Sequence, residues 1–221
     1  MPLPDLMLDL SVDALLTGNP RPIAEGVVSA MGKVPVDGPV AIGWTGLEGD
    51  HVADPIYHGG HDKAIHLYPN DHYGWWRERI GDHVLLGEPG AFGENIALRG
   101  AVDGDFCLGD RFTLGSAIVE VSHGRQPCSK LNHRFGRPDI LATVVKSGRA
   151  GFYLRVIRTG EARAGDRMTL SERPHPDWPV PRVFDLLVAG GHKRDPHGVA
   201  ALATMPVLAE AWASRARELA R

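Results

Sequence analysis

The sequence predicts a mainly β fold with peripheral helices, followed by a smaller helical region. Three observations carry this. The 27 glycines and 17 prolines are spread along the chain, which suits short strands joined by frequent turns. Several segments alternate apolar and polar residues, as in Ala117-Ile118-Val119-Glu120-Val121, the period of a strand with one buried face. After Leu170 the composition shifts to a proline-rich stretch and then to helical patterns.

Taken in order, residues 39–44 and 63–68 read as strands. Residues 70–79 read as a helix, with Asn70 or Asp71 as N-cap and Gly81 as the stop. Strands follow at 111–114 and 117–122, set off by the turn Asp103-Gly104-Asp105. A second helix spans 138–146, with Asp139 in the first turn where a negative charge suits the helix dipole. Strands at 151–158 and 167–170 flank the turn Ala164-Gly165-Asp166. No internal repeat is present. Residues 171–181 read as a linker, and helices are expected at 182–189, 198–204 and 206–220. The last has Thr204 ahead of a proline and sets Leu208, Ala211, Trp212, Ala216 and Leu219 along one face. The domain division implied is 1–172 and 173–221, the second packing on the first or serving a partner.

Composition narrows the function classes. A chain of this length buries roughly 70% of its unfolded surface and needs no staple. The 24 Lys+Arg against 27 Asp+Glu give a formal charge of −3, without the basic stripe of a nucleic-acid binder. A local cationic cluster can still hold a small anion. The two cysteines, Cys107 and Cys128, do not form a secreted disulfide framework. Acidic residues and prolines stand where a signal peptide needs a basic start and an apolar run. No apolar run approaches the roughly 18 residues of a membrane span. A cytoplasmic protein without a membrane or nucleic-acid partner is expected.

Four motifs hold candidate chemistry. In Arg125-Gln126-Pro127-Cys128, after a strand and near His123, Lys130 and His133, the cysteine can be held as thiolate. That soft ligand suits molybdenum or zinc, and a buried small residue is the competing reading. Cys107, between Phe106 and Leu108, reads as packing. In His58-Gly59-Gly60-His61-Asp62-Lys63 the glycines let backbone N–H groups approach an anion and Lys63 adds charge. A phosphate-bearing cofactor fits; so does a plain glycine turn, and His58, His61 and His66 leave zinc open. In Gly90-Ala91-Phe92-Gly93-Glu94-Asn95, Glu94 can relay protons and Asn95 can donate and accept, or the asparagine caps a turn. Tyr153 and Arg155 share one strand face, reaching a pocket or forming a cross-strand ladder.

The succession GDHVADPIYHGGHDKAIHLYP, GAFGENIALRG, CLGDRFTLGSAIVEVS, RQPCSKL and GFYLRVIRTGEARAGD resembles the MOSC family. More narrowly it resembles the bacterial branch associated with resistance to hydroxylaminopurine. The likeness covers residues 39–170, and the tail is similar to that branch's small three-helix domain. The resemblance implies a closed or nearly closed β-barrel with helices around it. It implies that Cys128 ligates the metal of a molybdenum cofactor (molybdopterin). His58, Lys63, Asn95 and Arg125, with Gly59, Gly60, Gln126, Tyr153 and Arg155, fall on motifs expected to line its pocket. Pyridoxal phosphate binding is a further family-level implication. One departure is His123-Gly124, where the family usually has Gln-Pro before the arginine. Glycine there is expected to loosen the loop that presents the cysteine.

The resemblance implies a two-electron reduction of N-hydroxylated compounds, with Cys128, His58 and Glu94 as catalytic residues. Lys63 and Arg125 would hold the cofactor phosphate, and His58, His123 or Glu94 would supply the proton. No flavin, haem, iron–sulfur or nicotinamide motif is present, so a separate electron-transfer reductase is expected as partner. The helical tail would dock it or complete a homodimer. A persulfide carrier on Cys128, a non-catalytic cofactor module and a cysteine–histidine hydrolase are the rival readings; no oxyanion-hole signature accompanies the last.

Overall fold

The computed structural model describes residues 8–221; part of the N-terminal stretch in which no leader was expected lies outside the described residues. The strands begin with β1 (Asp9–Thr17), β2 (Arg21–Ala24), β3 (Val27–Ser29), β4 (Val34–Pro35), β5 (Val40–Gly43), β6 (Gly46–Leu47) and β7 (Ile65–Pro69). They continue with β8 (Ile96–Leu98), β9 (Arg111–Leu114), β10 (Ala117–Gly124), β11 (Phe152–Arg158), β12 (Gly160–Ala162) and β13 (Arg167–Glu172). The helices are α1 (Pro55–His58), α2 (His72–Ile80), α3 (Lys130–Phe135), α4 (Ile140–Ser147), α5 (Val180–Leu187), α6 (Pro196–Ala203) and α7 (Glu210–Leu219).

Seven strands close into a barrel in the order β13-β9-β10-β11-β7-β8-β1, with β1 returning to β13 through Asp9↔Thr169 and Leu10↔Met168. Neighbours are antiparallel except β7 and β8, which run parallel. Closure leaves the ring without a free edge. The alternation seen in the sequence decides which side chains enter the lumen. On β11, Phe152, Leu154 and Val156 are fully buried and belong to the barrel core, while Tyr153 and Arg155 point outward. Phe106, Phe112, Val119 and Val121 fill the same core.

A second apolar cluster covers the outside of the barrel. It joins Tyr68, Trp76, Phe92, Phe135 and Val144 to Phe184, Leu202 and Trp212. The C-terminal helices pack on one another, and α5 and α7 bring Phe184 and Trp212 against β10 at His123 and Gly124. Among the described residues, no helix is long and apolar enough to cross a membrane.

Residues 171–181 are not a free linker. β13 runs on to Glu172, and the Arg173 guanidinium meets the fully buried Asp110 at 2.6 Å. The Leu108 N–H donates to the Trp178 carbonyl (2.9 Å), and the Val180 N–H to Phe106 (2.8 Å). The prolines shape an extended strap that the barrel holds in place. The last helix also starts later than expected, at Glu210 rather than at Pro206. Leu208 and Ala209 are buried ahead of it, and Ala213 instead of Ala211 faces the core.

Candidate functional site

A cavity of about 410 Å³ opens on the outer face of the barrel. Its floor is where β7 and β11 present His66 and Tyr153, which are register partners. Segments around 29–33, 45–63 and 125–130 form its walls. The size suits a ligand of small-molecule or cofactor dimensions, for which pockets run about 300–1,000 Å³. Cys128, His58, Gly59, Gly60, Lys63, Asn95, Arg125, Gln126 and Tyr153 all line it, so motifs up to 95 residues apart converge on one space.

Cys128 sits half-buried at the wall, just before α3. β10 ends at Gly124, paired with Phe152, and the Arg125 N–H donates to the Gly151 carbonyl (2.9 Å). The loop leading to the thiol is thus anchored to the neighbouring strand. Gly151 has φ +72°, and a Cβ there would meet the Leu67 carbonyl oxygen at 2.5 Å and His66 Nε2 at 2.8 Å. Glycine keeps the floor of the site clear.

Arg125 is a buried charge in the cavity without a carboxylate partner among the described residues. Its Nη1 has no hydrogen-bond partner among those residues. Its Nη2 reaches the Met31 thioether at 3.6 Å, and the guanidinium also acts on the Tyr153 hydroxyl, opposing the rise in pKa that burial imposes there. Lys63 and Lys130 add positive charge, and Asp50 is the one acidic residue among the lining side chains. Lys63 is half-spent: its Nζ donates to the Tyr57 carbonyl (2.6 Å), and burial lowers its pKa. Burial likewise lowers the pKa of His58, helped by the charges of Lys130, Lys63 and Arg125. His58 is accordingly a neutral imidazole at pH 7 until an anion offsets those cations. His66 is fully buried, its pKa held well below the usual value first by desolvation and then by Arg125, and its Nε2 is unpartnered.

Two expected site residues lie outside the cavity. Glu94 is completely buried, and its carboxyl group accepts the Tyr73 hydroxyl (2.5 Å), the Gly90 N–H (2.7 Å) and the Phe92 N–H (3.0 Å). It bolts the 90–94 turn and has no open path for proton relay. Arg155 is taken by Asp62 (2.9 Å), Glu120 (3.2 Å) and the Val207 carbonyl (2.9 Å). It ties β11 to β10 and to the helical tail. His123 is no proton source either: burial pushes its pKa down to about 3, and its ring stacks on Tyr153 at 5.2 Å and meets Trp212 at 5.3 Å.

The His123-Gly124 departure has a packing reason. A Cβ on Gly124 would lie 3.1 Å from the Trp212 ring, so glycine admits the α7 tryptophan against β10. The loop is pinned at this point rather than loosened. The glycines after His58 also divide their work. The Gly59 N–H is used by the Pro55 carbonyl (3.1 Å), whereas Gly60, at φ +99°, turns the chain along the cavity wall. The zinc reading has no geometric support among the described residues, where no group of three or more His, Cys, Asp or Glu side chains could hold a metal. His61 instead bonds the Val156 carbonyl through Nε2 at 2.8 Å.

Sequence reasoning missed the polar frame opposite the cysteine. Lys33 pairs with Asp50, and both are largely buried. Asp50 also accepts the Gly18 N–H (2.9 Å) and the Asn95 amide (2.8 Å). Asn95 further donates to the Leu16 carbonyl (3.1 Å) and accepts the His66 N–H (3.0 Å). Asn95 therefore lines the cavity but spends its amide on fixing Asp50 and β7.

The donor set fits an anionic cofactor with a soft metal. One thiol faces the cavity, a buried guanidinium waits with an unused N–H, and cations outnumber acids around it. A metal bound mainly by a cofactor needs only one protein ligand, which is what the described residues offer.

The MOSC domain model matches residues 54–169. The chain is 42% identical over 158 residues to a protein named "Reductase" from Gibberella moniliformis (strain M3125 / FGSC 7600), covering 71% of this chain. It spans only 28% of that protein's length. It is 36% identical to protein YiiM of Escherichia coli (strain K12), covering 71% of this chain and 70% of that one. The crystal structure of YiiM from Geobacillus stearothermophilus superposes with a TM-score of 0.79 at 32% identity, covering 96% of this chain and all of that one (100%).

Proposed function

Starting from a chain that belongs to the MOSC domain family, we propose that it is a molybdenum-cofactor-dependent reductase of N-hydroxylated compounds, supplied with electrons by a separate protein. The observation that carries this reading is the pairing in one cavity of the Cys128 thiol with Arg125, a buried guanidinium lacking an anionic partner. A buried charge is costly unless paired, and a phosphate-bearing cofactor pairs it. The relative named as a reductase agrees with redox chemistry, and shares its similarity over part of its length.

When bound, the cofactor supplies the two-electron chemistry that no side chain of this protein can. The chain does the rest. Cys128 offers its sulfur as the single protein ligand. Arg125, Lys63 and Lys130 hold the phosphate by charge-assisted hydrogen bonds. The Lys33–Asp50–Asn95 frame fixes the opposite wall. Tyr153 and Phe92 form apolar surface against which a planar base can lie. The charge of a bound anion raises the His58 pKa, so His58 is the group placed to hold a proton at the cavity.

The test is turnover of 6-hydroxylaminopurine to adenine with reduced methyl viologen as donor, in protein from a host that makes the cofactor. Wild type should reduce it, and Cys128→Ser should lose at least a hundredfold. Equal rates in the two would defeat the assignment.

A further inference from the structure

The external donor required by that reading needs a landing place, and this inference rests on it. A second groove lies between α2 and α4, lined by Trp75, Arg79, Thr143, Lys146, Ser147 and Arg149. Half of these residues are cations and none is acidic, in a chain whose formal charge is −3. Among the described residues, none of the three cations has a carboxylate within 4.0 Å. The charge of Arg79 is felt by Asp139, which Arg137 already holds at 3.0 Å. Arg79 and Lys146 stand in the last turns of α2 and α4, where the helix dipole favours cations, whereas Arg149 lies beyond the end of α4. Arg149 lies 4.3 Å over the Trp75 ring with its Nε buried and unpartnered.

The groove also backs onto the site. Trp75 meets Trp76 edge-on at 5.1 Å, and Trp76 meets Phe92 at 5.2 Å. Phe92 is part of the cavity wall. Two ring-to-ring steps thus separate the basic surface from the candidate site. On the helical tail, Arg182 and Arg194 are instead matched by Asp195 and Asp185 at 3.2 and 2.8 Å.

We infer that this groove is the docking surface for a small acidic electron-carrier protein. Complementary charge steers such encounters and orients the pair at modest buried area. Two carrier molecules are each oxidised by one electron per turnover. The substrate R–NHOH takes two electrons and two protons, its N–O bond breaks, and R–NH2 and water leave, the protons coming from solvent.

The experiment compares wild type with the Arg79→Glu, Lys146→Glu double variant, both substitutions being at exposed positions, with thermal melts to confirm folding. The first readout is calorimetric affinity for an acidic plant-type ferredoxin in protein without cofactor. The second is N–OH reduction driven by reduced ferredoxin or by reduced methyl viologen. The expected result is binding that weakens with salt, at least tenfold weaker in the double variant, with ferredoxin-driven turnover falling alike and viologen-driven turnover unchanged. Ferredoxin that fails to bind wild type, or binds both proteins equally, overturns the inference, as does inorganic phosphate saturating the groove in ferredoxin's place. Loss of viologen-driven turnover in wild type itself overturns instead the functional reading beneath it.

Discussion

Replacing Glu94 with glutamine separates a structural carboxyl group from a catalytic one. Glu94 is completely buried and accepts three hydrogen bonds, from Tyr73, Gly90 and Phe92. A glutamine can keep its oxygen toward Tyr73 and Gly90, but its amide then faces the Phe92 N–H. That leaves two donors unpaired in the interior, at about 1–3 kcal/mol each. A loss of about 2–4 kcal/mol follows, partly offset by relaxation of the turn. In a chain of this size each kcal/mol lowers Tm by roughly 2–4 °C, so a fall of about 5–15 °C is expected by calorimetry. Cofactor content and rate per folded molecule should stay within about twofold of wild type, because Glu94 does not reach the cavity. An unchanged Tm with a collapsed rate would refute this reasoning and return Glu94 to proton transfer.

Arg125→Leu should cut cofactor occupancy at least tenfold, yet leave the cofactor-free fold as stable or more stable by about 1–3 kcal/mol, since an unpaired buried charge is removed; chemical denaturation checks the second half. Gly124→Val should cost about 1–3 kcal/mol by crowding Trp212 and increase protease nicking of the 205–221 region, read by mass spectrometry. Acid stability should follow the buried histidines. With the His123 pKa near 3 in the folded state and about 6.5 unfolded, the unfolded chain binds the extra proton. Stability then falls as pH drops from about 6.5 toward 3, by about 1 kcal/mol per unit from this group. His123→Phe should remove that share of the slope in urea melts between pH 6 and 4.

The barrel strands with strict alternation were legible because one face of each meets the lumen: β9, β10, β11 and β13 lie close to where residues 111–114, 117–122, 151–158 and 167–170 put them. β1 was not assigned, although Leu10, Val12 and Ala14 alternate with Asp9, Ser11 and Asp13, because the acidic N-terminal stretch was weighed only against a signal peptide. α3 is six residues long without a side-chain cap, too short for a helical period to show. The site was legible where chemistry is written in one motif, as at Cys128 and Arg125. It was hidden where partners are remote: Lys33 and Asp50 are 17 residues apart and become a pair only when the loops close over the barrel. Glu94 and Arg155 show the converse. A glycine-flanked acid and an outward strand arginine look alike in sequence whether they face a cavity or a neighbouring strand, and only their hydrogen bonds decide.

The most direct test of the site is molybdenum and pterin content in freshly purified protein, wild type beside Cys128→Ala, from a host that makes molybdenum cofactor. The account predicts close to one molybdenum and one pterin per wild-type chain, with the metal lost in the variant while its melting temperature holds. Wild-type protein free of both, with an extra sulfur on Cys128 by mass, would contradict it and make the cysteine a persulfide carrier.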